Sequence, residues 1–239
     1  MMRATKSQKI RSRLFWLSSI LIVSLLAYIL GWSQFFRVTG ISIDGLQPQA
    51  KELISSQIKR ESLIQIGEPL ARVDVRVVKR SLLKNQWVGN VQVNRHWFSG
   101  EVNLFVVERS AIARIIGDTQ FKYLTDQGQI AIFPEVLSQT VPELSGAYQD
   151  KESVLRAKEL LGELSGALDS QLTIKSLSIS SPTSFSTVAK IGEQELTIRW
   201  GSVNEIPLKI KVLQGLLALP ENSQLKLVDL SAPLSPIVK

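Results

Sequence analysis

The stretch Val91-Gln92-Val93-Asn94-Arg95-His96-Trp97-Phe98-Ser99-Gly100-Glu101-Val102-Asn103-Leu104-Phe105-Val106-Val107 decides the fold of the first half of the chain. Val91, Val93, Arg95 and Trp97 share one parity, and Gln92, Asn94 and His96 the other. A period of two is that of a strand with one face covered. Ser99-Gly100 is a turn signal, and Val102–Val107 is rich in β-branched and apolar residues. The stretch therefore predicts an antiparallel hairpin.

Working upstream, Val38–Ile43 reads as a short strand closed by Asp44-Gly45. Pro48 then opens a helix with Leu53, Ile54 and Ile58 as its apolar stripe. Gly67-Glu68-Pro69 breaks the chain. Asp74 is placed to cap a second helix, with Val75, Val78 and Leu82 on one face and Arg76, Lys79 and Arg80 on another. The order β-α-α-β-β over residues 36–109 predicts a small sheet with two helices on one face.

Downstream, residues 110–239 are strand-dominated. Ala111–Ile116, Lys122–Leu124 and Gln129–Phe133 read as strands, and Pro142 and Gly146 as the bounds of a short loop. A helix is expected from about Ser153 to Leu168, with Ala157, Leu160, Leu161, Leu164 and Leu168 inward. Leu172–Ser180, Ser186–Ile191 and Glu195–Trp200 follow as strands. A last helix spans about Asn204–Leu219, with Ile206, Ile210, Leu213 and Leu217 spaced four, three and four apart, and Pro220 stops it. Gln224–Leu230 is expected as a final strand, followed by a Pro-punctuated tail. The fold class is α+β.

The first 35 residues differ in kind. Leu14–Ser33 reads LFWLSSILIVSLLAYILGWS, and no charged residue occurs from Leu14 to Phe36. Twenty helical residues span about 30 Å, the thickness of a bilayer's hydrocarbon core. Trp16, Tyr28 and Trp32 lie towards its ends, where aromatic rings favour the interface. Arg3, Lys6, Lys9, Arg11 and Arg13 precede it with no acid among them, and most of the net charge of +7 belongs to them. The positive-inside rule then predicts a basic cytoplasmic tail at 1–13, a transmembrane helix at 14–35 and an extracytoplasmic part at 37–239, a single-pass type II arrangement. A cleaved signal peptide is the competing reading, but its apolar core is ordinarily 7–15 residues.

Composition excludes much chemistry. With no cysteine and a single histidine, His96, the chain carries no thiol nucleophile, disulfide framework or cysteine-ligated metal. Neither G-x-S-x-G nor a glycine-rich phosphate loop occurs. No basic patch with interleaved aromatics points to nucleic acid. No catalytic, metal-binding or cofactor-binding residues are assigned, and no cofactor is expected. Arg95 and Glu108 are candidates for a cross-strand ion pair, His96 for a solvated position and Asp126 for an Asx turn before Gly128.

Several phrases in this order resemble the bacterial cell-division family FtsQ/DivIB. They are Phe36-Arg37-Val38 with Ile43-Asp44-Gly45, Gly67-Glu68-Pro69-Leu70 with Val73-Asp74, and Leu82 with Trp87-Val88. Val91–Trp97 is similar to the family's V-x-V-x-R-x-W-P, Val106-Val107-Glu108-Arg109 to its V-x-E-R, and Tyr123–Gly128 to its L-I-D-x-x-G. Leu196–Gly201 followed by Lys209 or Lys211 resembles its strand, glycine and Lys-bearing helix, and Val228-Asp229-Leu230 its closing V-D-L. Phe98 and Ala111 depart from it, standing where the family often has Pro.

The resemblance implies a POTRA domain at 36–109 and an FtsQ-type β-domain at 110–239. It implies a non-enzymatic scaffold of the divisome in the cell inner membrane, expected at the division septum. The partners implied are FtsB- and FtsL-like division proteins, bound by strand addition at the β-domain. Other divisome proteins are implied at the POTRA domain, with the lipid bilayer around the anchor. A terminal strand is often a sheet edge with unpaired backbone groups. Leu225, Leu227, Val228, Asp229 and Leu230 are therefore the expected partner-binding edge, with Trp200 as an aromatic anchor. The rival readings are a POTRA-bearing assembly or secretion factor and a membrane-anchored Ser/Lys hydrolase, for which Lys79-Arg80-Ser81 is the nearest pairing. Replacing Arg3, Lys6, Lys9, Arg11 and Arg13 by Gln is expected to scramble orientation. Protease added outside intact spheroplasts should then cleave residues 37–239 in a smaller fraction of chains.

Overall fold

The computed structural model describes residues 15–25, 27–28, 36–117, 119–168 and 172–239. Residues 15–25 and 27–28 are helical. The basic tail at 1–13 and much of the span expected at 14–35 lie outside the described residues. Among the described residues no helix is long and apolar enough to cross a membrane. The chain divides into two compact units, Met1–Glu108 and Arg109–Lys239.

In the first unit the hairpin forms from β2 (Val88–His96) and β3 (Glu101–Glu108), and β1 (Gly40–Asp44) adds parallel to β3. The sheet order is β1-β3-β2. Strand β1 starts two residues later than the periodicity predicts. Val38 is instead held by the loop before the second helix, its N–H donating to Glu68 O and its O accepting from Gly67 N–H, both at 2.8 Å. Helix α1 (Pro48–Arg60) opens at its proline and buries Ala50, Ile54, Gln57 and Ile58. Asp74 caps α2 (Val75–Leu82), its Oδ1 accepting from Arg76 N–H at 2.8 Å and Val77 N–H at 3.2 Å. Val78 and Leu82 are fully buried below.

A polar cluster ties the two helices. The Gln57 amide donates to Ser81 O and Oγ at 3.3 Å and accepts from Asn85 Nδ2 at 2.7 Å. The Ser81 hydroxyl donates to the Glu61 carboxylate. That bond, reinforced by Gln57, Lys84 and Arg60 against a smaller opposing effect of burial, holds the Glu61 carboxyl below its ordinary value. Ser81 is thus committed to an acid rather than to Lys79. Arg95 and Glu108 do not pair. The register opposes Arg95 to Val102 and Glu108 to Val88, near opposite ends of the hairpin. Arg95 Nη1 donates to Leu70 O and Val73 O at 3.2 and 3.3 Å, and Glu108 Oε1 accepts from Gln47 N–H.

Among the described residues, the second unit is one sheet of nine strands with two α-helices. Its strands are β4 (Ala111–Ile115), β5 (Lys122–Thr125), β6 (Ile130–Ile132), β7 (Glu143–Gly146), β8 (Thr173–Ser181), β9 (Ser184–Ile191), β10 (Gln194–Gly201), β11 (Leu227–Asp229) and β12 (Ile237–Val238). They lie in the order β12-β11-β10-β9-β8-β7-β4-β5-β6. Helices α3 (Lys151–Leu168) and α4 (Ile206–Leu217) contribute Ala157, Leu160, Leu161, Leu164, Ile210 and Leu213 to one core with Leu177, Ile179, Ile198 and Trp200. Asp150 starts α3, accepting from Ser153 N–H at 2.8 Å and Ser153 Oγ at 2.7 Å.

Two expectations are corrected here. Residues 143–146 are no loop but β7, running parallel between β4 and β8 and burying Leu144. The tail does not trail away after Leu230 but returns as β12. Gly146 is where β7 meets its neighbour most closely. Its φ is +92°, and an added Cβ would collide with the Ile179 carbonyl. Gly146→Ala is therefore expected to cost about 2–4 kcal/mol, combining left-handed strain with displacement of β8. A urea titration of the folded chain measures it, and a midpoint equal to wild type would refute the packing argument.

Candidate functional site

The terminal edge of the nine-stranded sheet is built around the place where the chain leaves β10, crosses as α4 and returns as β11. Strand β11 lies parallel to β10, pairing Thr197 with Leu227, Ile198 with Val228 and Arg199 with Asp229. Leu230 N–H donates to Arg199 O at 2.7 Å. Gly201 ends β10 at φ +63°, where a Cβ would press on Ser231 Oγ and Cα at 3.0 and 3.1 Å. A side chain there would meet both a left-handed backbone and a Ser231 that must give way by a few tenths of an ångström.

Lys209 lies on the inner face of α4 and is 2% exposed. Its Nζ donates to Trp200 O at 2.6 Å and to Ser202 O at 2.8 Å, two carbonyls of the bend. Burial pushes its ammonium below the ordinary lysine value, while Glu205 and Asp229 push back. Asp229 sits on β11 with Arg199 Nη1 at 3.9 Å. Burial alone would raise its carboxyl, but bonds from Ser231 with the charges of Arg199 and Lys209 hold it below its ordinary value. Lys209 Nζ faces carbonyl acceptors rather than a serine hydroxyl.

The expected partner-binding residues are brought together but not as an open edge. Val228 and Leu230 are fully buried, Leu225 and Leu227 half-buried, and Asp229 partly covered. Trp200 is fully buried, its Nε1–H donating to Thr187 Oγ1 at 2.9 Å, so it is a core residue and presents no face to a partner. Strand β11 is paired on both sides. On its far side β12 runs antiparallel, with Val228 opposite Val238 and Asp229 opposite Ile237. Lys239 N–H donates to Leu227 O, and Lys239 O accepts from Leu227 and Lys226 N–H, at 2.8–3.0 Å.

The outermost strand is therefore β12. Ile237 is 56% exposed and Val238 39%. Since Lys239 bonds inward to Leu227, the alternation of an antiparallel ladder turns the N–H and C=O of Val238 outward. Sequence reading missed this strand because two residues are too few to show a period. Its only signal was a β-branched pair after Pro236. It also left Lys209 and Lys211 undivided; the inward face of α4 selects Lys209. Among the described residues no three His, Asp or Glu side chains converge as a metal site requires.

From residue 36 on, the first unit carries a three-stranded sheet with two α-helices, in the order β-α-α-β-β. The family description POTRA domain, FtsQ-type, matches residues 36–109. That segment is similar to an FtsQ-type POTRA domain, and the match supports the resemblance to the FtsQ/DivIB cell-division family. No curated protein sequence matches the chain significantly.

The two bonds of Lys209 give a direct test. Lys209→Met leaves Trp200 O and Ser202 O without a donor in a buried bend, and is expected to cost about 2–4 kcal/mol. The sign of the pH effect is also set. A lysine whose native value is lowered binds fewer protons folded than unfolded between the two values, so its contribution makes stability rise with pH across that alkaline window. The methionine variant should lose that slope. Urea unfolding from neutral pH to about pH 10.5 measures both, and an unchanged midpoint and slope would contradict the assignment.

Proposed function

We propose that the chain is a non-enzymatic, bitopic membrane scaffold of the bacterial divisome that joins septal division proteins through its POTRA domain and its β-domain. The FtsQ-type POTRA match at residues 36–109 carries this reading, since that type of domain points to a cell-division protein family. The sequence pattern of residues 1–35 supports a cytoplasmic N-terminus and a single anchor in the cell inner membrane.

The site proposed for FtsB- and FtsL-like partners is the outer side of β12, in place of an open β11. An incoming segment would take the outward N–H and C=O of Val238, the main-chain bonds supplying affinity and the neighbouring side chains specificity. Ile237, Val238 and Leu234, the last 87% exposed, provide the apolar surroundings. Leu227–Leu230 then act from behind, by fixing where β12 lies.

Val238→Pro separates docking from folding. Proline removes the outward N–H and leaves the inward bonds at Lys239 in place. Binding of the extracytoplasmic segment of an FtsB-like partner to the full chain should weaken at least tenfold, with the thermal midpoint nearly unchanged. Equal affinity would refute docking at β12. Deleting residues 224–239 should abolish binding while leaving membrane insertion intact. A fluorescent fusion at the N-terminus should form a midcell band in dividing cells; a uniform membrane signal with normal division on depletion would overturn the divisome reading.

A further inference from the structure

Beside the residues that lead into the POTRA domain, two loop tips carry large apolar side chains out into solvent. Phe98, at the β2–β3 turn, is 102% exposed, and Ile66, before Gly67, is 72% exposed. Both loops are fastened to the first residues of the domain. On one side Val38 exchanges bonds with Gly67 and Glu68, and Arg37 Nη1 donates to Gly67 O at 3.2 Å. On the other, Thr39 N–H donates to Gly100 O at 2.8 Å and Thr39 Oγ1 to Ser99 O at 2.9 Å. Residues 37–39 therefore run between the two tips.

The surroundings are those of an interface rather than of a core. Phe36 and Trp97 meet edge to face at 6.2 Å, and the Arg95 guanidinium lies over the Trp97 ring at 5.2 Å. The Arg37 side chain is exposed. Two carboxylates lie on this end: Glu68 is turned onto its own loop, accepting from Gln65 N–H at 2.8 Å, and Glu101, next to Gly100, is exposed at the start of β3. Aromatic and aliphatic tips with arginines among them match the boundary between acyl chains and headgroups.

The chain itself limits what can cover this surface. The apolar run ends at Ser33, three residues before Phe36. Three extended residues reach about 11 Å at most, comparable to the thickness of one headgroup layer. Any bilayer holding residues 14–33 is therefore within reach of Phe98 and Ile66 at very high effective concentration. We propose that this end of the POTRA domain rests on the membrane, with Phe98 and Ile66 set into the headgroup region and Arg37 facing lipid phosphate. The proposal rests on the membrane-anchor reading above. It would fix the height of the domain over the bilayer, leaving its other surfaces turned to proteins.

The chain has no cysteine, so single labelling sites are clean. The full chain, carrying Phe98→Cys, Ile66→Cys, Leu234→Cys or Val23→Cys with an environment-sensitive fluorophore, is reconstituted in phosphatidylcholine–phosphatidylglycerol vesicles. Lipids spin-labelled at the headgroup or deep in the acyl chain serve as quenchers. Labels at 98 and 66 should shift to the blue and be quenched best by the headgroup probe. The label at 23 should be quenched by the deep probe, and that at 234 by neither. Adding Phe98→Asp should at least halve the quenching at 66. If 98 and 66 behave like 234 while 23 is quenched deeply, the anchor stands and the proposal falls. A blue shift at 98 without lipid quenching marks a protein contact and also overturns it. If 23 is not quenched, the anchor reading fails and the proposal with it.

Discussion

Burying an ammonium group is costly unless its hydrogen bonds are met, and the second unit is arranged so that Lys209 meets two of them. The carbonyls it receives belong to Trp200 and Ser202, where the chain stops being β10 and turns towards α4. A sheet strand ending in a sharp bend leaves acceptors that neither the ladder nor the following helix can satisfy. Lys209, nearly one helical turn into α4, satisfies two of them from inside. In doing so it fixes the height at which α4 crosses the sheet, and hence the register in which β11 returns beside β10. The left-handed Glu205 before α4 and the close approach of Gly201 to Ser231 belong to the same constraint. The bend admits few conformations, and a charged side chain selects among them.

From that register the edge follows. Once β11 is aligned with β10, Val228 and Leu230 enter the core, and Leu227 offers its N–H and C=O to Lys239. Strand β12 is therefore a consequence of the β10–β11 pairing rather than an independent element; two residues could not hold a strand by themselves. The same logic shows why Trp200 is unavailable as a surface anchor. It is buried in the same core as the inner face of α4, with its indole N–H committed to Thr187. An aromatic near a sheet terminus is as often part of the core that shapes the edge as part of the surface beyond it.

What the sequence disclosed follows the length over which each pattern runs. Helix α2, with Asp74 at its cap and Val78 and Leu82 on one stripe, announces both ends and its inward face, because cap and period agree. The hairpin from β2 to β3 is legible for the same reason, since seventeen residues alternate around one turn. Strand β7 is not, because four residues that follow a proline and end in a glycine look like a loop until Leu144 is seen to be buried between two parallel neighbours. Arg95 and Glu108 show the limit of pairing by chemistry alone. Opposite charges on adjacent strands meet only if the register opposes them, and register depends on the turn. Lys209 is the reverse case. A lysine on the apolar face of α4 breaks its pattern, and that break is the signal that a polar group is needed inside.

A short edge has consequences for recognition. Each residue of an edge strand offers outward bonds only at alternate positions, so a strand of two residues presents one outward pair. Such an edge is too small to template indiscriminate pairing, which is the hazard of long flat edges. It is also too small to give high affinity through main-chain bonds alone. A partner segment adding there must draw most of its binding from side chains that pass over Ile237, Val238 and Leu234 and around the Pro236 corner. In the proposed docking, specificity would thus lie in a surface that exists only while β12 is held in place, and β12 is held by its pairing with β11. Loss of the lysine would therefore reach the proposed partner surface without any change to a residue on it, and an effect on binding at this edge is not by itself proof of contact. Comparing stability with affinity in the same variant separates the two: a residue that supports the strand moves both together, and a residue that meets the partner moves affinity alone.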